Sequence, residues 1–196
     1  MTQIKSKQRV ADHGEVFTAE REVLTMLDLV KHETARIDSR FLEPACGDGN
    51  FLVEILRRKL VVVKRLHATD FEHYALLAVS TLYGIDILQD NVHKCRERLL
   101  QQFDGCSHLY HNTIKHIINL NIVWGDTLAL RTPDKKQAPI ILPEWQLLQN
   151  GMIKRRDYVL STLFASLHQT ELSITAALVE YPPVHYLNLG RNCADT

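Results

Sequence analysis

Glu43-Pro44-Ala45-Cys46-Gly47-Asp48-Gly49-Asn50-Phe51-Leu52 is the stretch whose reading decides the fold. Arg40 to Ala45 reads as a short strand entering a turn, and Gly47 and Gly49 break the pattern. Phe51, Leu52, Ile55, Leu56 and Leu60 then recur at helical spacing. A strand end, a two-glycine turn and a helix start bring backbone close to a ligand and offer it unpaired N–H groups. The same two glycines serve a tight turn equally well. A dinucleotide fingerprint would add a third glycine and cradle pyrophosphate. Here Glu43 and Asp48 flank the turn, which repels phosphate and suits a cation such as an ammonium or a sulfonium.

On the amino-terminal side, Thr18 offers an N-cap, and Val23, Met26, Leu27 and Val30 predict a helix over residues 19–34. On the carboxyl side, Arg57, Arg58, Lys59, Lys64 and Arg65 read as the outer face of the helix begun at Phe51. Asp70 caps a third predicted helix bearing Ala75, Leu76 and Val79. Tyr83 to Leu88 reads as a buried strand, and Asp90-Asn91 opens the next helix. Residues 108–118 predict another helix, and Ile122-Val123-Trp124 a strand stopping at Gly125-Asp126. A polar loop over 131–138 precedes a further short strand, Pro139 to Leu142. This alternation predicts an α/β chain with a mostly parallel sheet. Ligands of such sheets bind beyond the carboxyl ends of the strands, where Glu43, Asp86 and Asp126 fall.

The 196 residues predict one domain. With 45% hydrophobic and 23% charged residues, the chain is too apolar for wholesale disorder. Lys plus Arg and Asp plus Glu are 23 each, so bulk positive charge is excluded and any nucleic-acid contact must be local. Cys46, Cys95, Cys106 and Cys193 form no C-x-x-C pair, which predicts reduced thiols and a cytoplasmic setting. The polar N-terminus does not read as a secretory signal, and the longest apolar run, Leu60 to Val63, is far short of a membrane span. Cys106, His108 and His111 match no standard zinc spacing, so no metal is expected.

The run from Glu43 to Leu52 resembles the S-adenosyl-L-methionine-binding motif of adenine-specific DNA methyltransferases. It is similar to the modification subunits of type I and related restriction–modification systems, in which an acidic residue precedes P-A-C-G. Gly14-Glu15-Val16-Phe17-Thr18 resembles the family's upstream segment against the cofactor's methionine end, with Ala19 where proline is usual. Gly84-Ile85-Asp86-Ile87 resembles the second strand, whose acid takes the ribose hydroxyls, and Gly125-Asp126 the third, whose acid receives the cofactor's adenine amine. The resemblance covers roughly residues 14–145 and implies a Rossmann-like, S-adenosylmethionine-dependent methyltransferase fold. The implied cofactor contacts are Phe17, Thr18, Glu43, Ala45, Cys46, Gly47, Gly49, Asn50, Phe51, Asp86, Ile87 and Asp126. The implied reaction is methyl transfer to the exocyclic amine of adenine in DNA.

The resemblance stops short of the target side. The family places Asn-Pro-Pro-aromatic after its fourth strand to hold a flipped base. Here Pro143-Glu144-Trp145 follows Leu142, which leaves Glu144 and Trp145 as the catalytic candidates. Tyr181-Pro182-Pro183-Val184 reads as an extended surface segment. Lys154-Arg155-Arg156 is the candidate DNA-binding patch. Residues 1–13 are expected to be flexible, and 146–196 to complete the sheet or form an interface. A sheet this short predicts an exposed edge covered by a second copy, or by a specificity or restriction subunit. The competing expectation is a catalytically inactive module that binds cofactor or a partner subunit.

Overall fold

The computed structural model describes residues 6–13, 15–167 and 176–190. The first element among the described residues is helix α1 (Lys7–His13), which lies within the stretch expected to be flexible. The helix predicted over 19–34 is two, α2 (Glu20–Leu29) and α3 (Lys31–Thr34), because Val30 leaves helical geometry at φ −117° and ψ 29°. Ala19, not Thr18, is the N-cap, and its N–H donates to Glu22 at 3.2 Å.

Strand β1 (Phe41–Glu43) runs through the glycine turn into α4 (Asn50–Leu66). Helix α5 (Phe71–Ser80) leads to β2 (Leu82–Asp86), and α6 (Gln89–Leu100) with α7 (His108–Asn121) leads to β3 (Ile122–Trp124). The three strands pair in parallel in the order β1-β2-β3, with Phe41 opposite Leu82 and Gly84 opposite Ile122. The chain is thus α/β, with helices between successive parallel strands.

Alternation along β2 assigns the two faces of the sheet. Leu82 packs with Leu52, Leu56, Val92, Cys95 and Leu99 of α4 and α6. A Cβ at Gly84 would lie 2.8 Å from Leu52, so that glycine lets α4 settle against the strand. Ile85 and Tyr83 face the other way, onto Ile140, Leu142, Leu160 and Phe164. Asn121 closes the amino-terminal end of the sheet, with Nδ2 donating to the Ser80 and Leu82 carbonyls at 3.2 and 2.9 Å.

The strand expected over Pro139–Leu142 does not extend this parallel sheet. Residues Ile141–Leu147 form β4, which pairs antiparallel with β5 (Met152–Val159) in a second sheet. Asn150 and Gly151 both adopt positive φ, 58° and 70°, and reverse the chain between the two strands. Helix α8 (Leu160–Leu167) follows. Strands β6 (Val179–Glu180) and β7 (Val184–His185) both pair with β5. The expected element over 157–179 lies partly outside the described residues. The strand expected over 184–189 is confined to β7, and a single 3-10 turn follows at Tyr186–Asn188. Pro182 and Pro183 lie exposed between β6 and β7. No helix among the described residues is long and apolar enough to cross a membrane.

Candidate functional site

Glu43, Asp86 and Asp126 stand at or just beyond the carboxyl ends of β1, β2 and β3. The turn after β1 is built on two left-handed glycines, Gly47 at φ +53° and Gly49 at φ +90°. Both positions are also close approaches. A Cβ at Gly49 would sit 2.7 Å from the Cys95 sulfur, and one at Gly47 would sit 3.2 Å from the Phe17 ring.

Asp86 fixes this turn to the second strand. Its Oδ2 accepts the Gly47 N–H at 2.8 Å, and its Oδ1 accepts the Leu88 N–H at 2.8 Å and Asn91 Nδ2 at 3.3 Å. Asn91 Nδ2 also donates to Glu15 at 2.8 Å. Glu15 is gripped by Arg9 of α1 at 2.6 and 2.7 Å, and the same guanidinium reaches Asp90 at 2.8 Å. The amino-terminal segment is therefore tied to the mouth of the site through Arg9, Glu15 and Asn91. Thr18 is anchored by its carbonyl, which accepts from Asn50 Nδ2 at 3.1 Å.

The two acids flanking the glycines have different fates. Asp48 is neutralised by Arg98 of α6, with Oδ1 and Nη1 2.9 Å apart. That contact is Coulombic, because the Nη1 hydrogens go to the Asp48 carbonyl and to Asn50 Oδ1, each at 2.8 Å. Glu43 is half-buried, and no ion pair among the described residues involves it. Burial raises its carboxyl above the usual range, against an opposing hydrogen bond from the Ala45 backbone. The negative charge that the sequence placed at both ends of the turn is thus left at Glu43 alone.

Asp126 Oδ1 accepts the Leu128 and Ala129 N–H groups at 2.9 and 3.1 Å, while the Gly125 N–H donates to the Asp86 carbonyl at 3.0 Å. Thr127 Oγ1 donates to the Pro44 carbonyl at 2.6 Å and joins the third strand end to the first. Ile87 is exposed at the mouth, and its carbonyl accepts the Trp124 indole N–H at 2.8 Å. Ala45 is exposed. Cys46 is buried beside Cys95, which together with desolvation drives its thiol pKa far up, so it is a packing residue. Phe51 packs against the main core.

The catalytic candidates lie elsewhere. Trp145 is 6% exposed, and its indole N–H donates to Asn121 Oδ1 at 2.8 Å. Asn121 marks the amino-terminal end of the parallel strands, opposite the glycine turn. Glu144 pairs with Arg40 at 2.7 Å, just before β1, and with Arg156 at 3.6 Å. Trp145 is thus engaged with the end of α7, and Glu144 with Arg40 and Arg156, both away from the glycine turn. The Lys154-Arg155-Arg156 patch is neutralised by Glu180, Asp157, Glu144 and Glu180 again. It offers little free charge to a polyanion.

A cleft of about 660 Å³ opens on the α2–α4–α6 side of the turn, lined by Phe17, Thr18, Val23, Asp48, Asn50 and Arg98 among others. It shares the turn with the strand-end acids but does not include Glu43, Asp86 or Asp126. We place the candidate site at the strand ends, where a carboxyl group with no ion pair among the described residues and close backbone approach coincide. Arg9, Asn91, Arg98 and Thr127 are the contributors that the sequence reading missed. No known protein family, curated protein or solved structure matches the chain.

Proposed function

We propose that the chain is an S-adenosylmethionine-dependent methyltransferase of the adenine-specific DNA type, working within a restriction–modification system. Its parallel sheet then represents the cofactor half of a Rossmann-like fold, short of a complete sheet. The observation that carries the reading is Glu43, a desolvated carboxyl group at the end of β1 that has no ion-pair partner among the described residues. Such a group favours a ligand that brings positive charge.

The residues present fit that cofactor. Glu43 would face its charged amino-acid end, and Phe17 would close the methionine side over Gly47. A carboxylate oxygen has two acceptor sites, so Asp86 Oδ2 keeps one for a ribose hydroxyl beside the Gly47 N–H. Asp126 directs Oδ1 into its own loop, and Oδ2 makes no hydrogen bond among the described residues, which suits an amine donor. When bound, S-adenosylmethionine supplies an electrophilic methyl group, and the target amine needs positioning rather than a covalent enzyme intermediate.

A second reading, a cofactor-binding module without turnover, is favoured by the placement of Glu144 and Trp145 away from this end of the sheet. A partner subunit, or a second copy, would then supply the target side. Tritiated methyl transfer to unmethylated genomic DNA separates the two. Transfer by the chain alone supports the first reading, and cofactor binding without transfer supports the second. Neither binding nor transfer would remove both.

A further inference from the structure

The strand-end acids leave unused the cleft between α2, α4 and α6. At about 660 Å³ it is large enough for a small organic ligand. Val23 and Val53, both buried, line it together with Phe17, and Leu24 lines it from an exposed position on α2. The charge around this apolar surface is mostly spent within the protein. Asp48 lies 2.9 Å from Arg98, and Glu54 pairs with Arg58 at 3.0 Å and with Arg57 at 3.7 Å. A cation entering the cleft would meet Arg57 and Arg98, and an anion would meet Glu20, Asp48 and Glu54. The lining therefore selects an uncharged guest.

Two sets of hydrogen-bonding groups are left over. The carboxylate of Glu20, in the first turn of α2, makes no hydrogen bond or ion pair among the described residues. Arg98 spends Nη1 on the Asp48 carbonyl and Asn50 Oδ1, while its Nε and Nη2 hydrogens go to no acceptor among the described residues. An acceptor on α2 and donors on α6 thus border one apolar cleft. Phe17 joins the cleft to the site. It lines the cleft, and its ring also comes within 3.2 Å of where a Cβ on Gly47 would lie. Asp48 and Asn50, which flank Gly49 of the same turn, line the cleft as well.

We infer that this cleft is a pocket for one unpaired adenine base, with Glu20 accepting from its exocyclic amine and Arg98 donating to a ring nitrogen. The guest must be uncharged, apolar over its faces, and carry an N–H donor and lone-pair acceptors on its edges. The amine-bearing nucleobases have that pattern, and the proposed function, on which this rests, selects adenine among them. A base drawn out of a duplex is read by hydrogen bonds to its edge and by apolar contact with its faces. Held here, it stands beside Phe17, and so beside the methionine end of the cofactor. The cleft thus offers the target side that Glu144 and Trp145 do not.

The test is calorimetric titration of the full chain with adenosine, alone and with saturating S-adenosylmethionine, beside titration with inosine. Adenosine is expected to bind saturably in both conditions. Inosine, which has a carbonyl oxygen in place of the amine, is expected to bind at least about fivefold more weakly. Glu20→Ala is expected to erase that preference. Leu24→Trp, which fills the cleft from an exposed position, is expected to abolish adenosine binding. Both variants should keep the wild-type melting temperature. No adenosine binding, equal affinity for adenosine and inosine, or adenosine binding that neither variant alters would overturn the inference. So would displacement of adenosine by S-adenosylmethionine, which would make the guest the cofactor's own adenine. S-adenosylmethionine titration of the wild-type chain is read separately: no binding there removes the proposed function, and adenosine binding that obeys the two variants still supports the pocket.

Discussion

Asp86 is the residue on which the geometry of the site depends, because one buried carboxylate holds the Gly47 and Leu88 N–H groups together. Replacing it with alanine leaves two backbone donors without a protein acceptor, a loss of about 1–3 kcal/mol. Urea denaturation of Asp86→Ala should show that loss, and titration should show weakened cofactor binding. Gly49→Ala should cost at least about as much, since its φ of +90° is joined to a clash with Cys95. A Gly49→Ala melt that overlays the wild type would refute the close-approach argument. These glycines were legible in the sequence because backbone geometry is a local property. Arg98 was not, although it cancels one of the two acids flanking the turn. An ion pair across fifty residues depends on where α6 lands against α4, and no spacing rule reports that.

Helix α4 shows at the scale of the element what periodicity conveys and what it hides. Its apolar stripe was readable, but Lys59 was assigned to the outer face with its basic neighbours and is in fact fully buried. Its ammonium donates to the Ile37 and Ser39 carbonyls and to Thr81 Oγ1, pinning α4 to the amino-terminal ends of β1 and β2. Burial lowers its pKa from 10.5 to about 7, against favourable charge from Asp38 and Glu33. The unfolded chain therefore binds the extra proton between those values, and stability rises with pH across that window. From pH 7 to pH 9 the gain attributable to Lys59 is on the order of 2 kcal/mol. Denaturation curves of wild type and Lys59→Met at both pH values measure it. The variant should lack that increment, and an equal rise in both proteins would contradict the assignment.

Across the whole molecule, the parallel sheet carries the candidate site and the antiparallel sheet braces its far face and far end. The α/β alternation up to β3 was legible because each strand is followed by a turn and an amphipathic helix. The strand expected over Pro139–Leu142 reads as more of the same, since a short apolar run does not declare its partner. Asn150-Gly151 held the correction, as a hairpin signal that closes β4 onto β5. Trp145→Ala should then destabilise the fold by about 3–5 kcal/mol through lost packing and a stranded Asn121. Trp145→Phe, which keeps most of the packing, should leave cofactor affinity unchanged, as read by titration. A marked loss of affinity in that variant would return Trp145 to the site.

Calorimetric titration with S-adenosylmethionine, comparing the wild-type chain with Glu43→Gln, tests the central claim most directly. Glu43→Gln removes the charge that has no ion-pair partner among the described residues while keeping the side chain's shape. Saturable binding by the wild type, weakened at least about tenfold in Glu43→Gln, is the predicted result. No binding by the wild type, or equal affinity in the two proteins, would contradict the account.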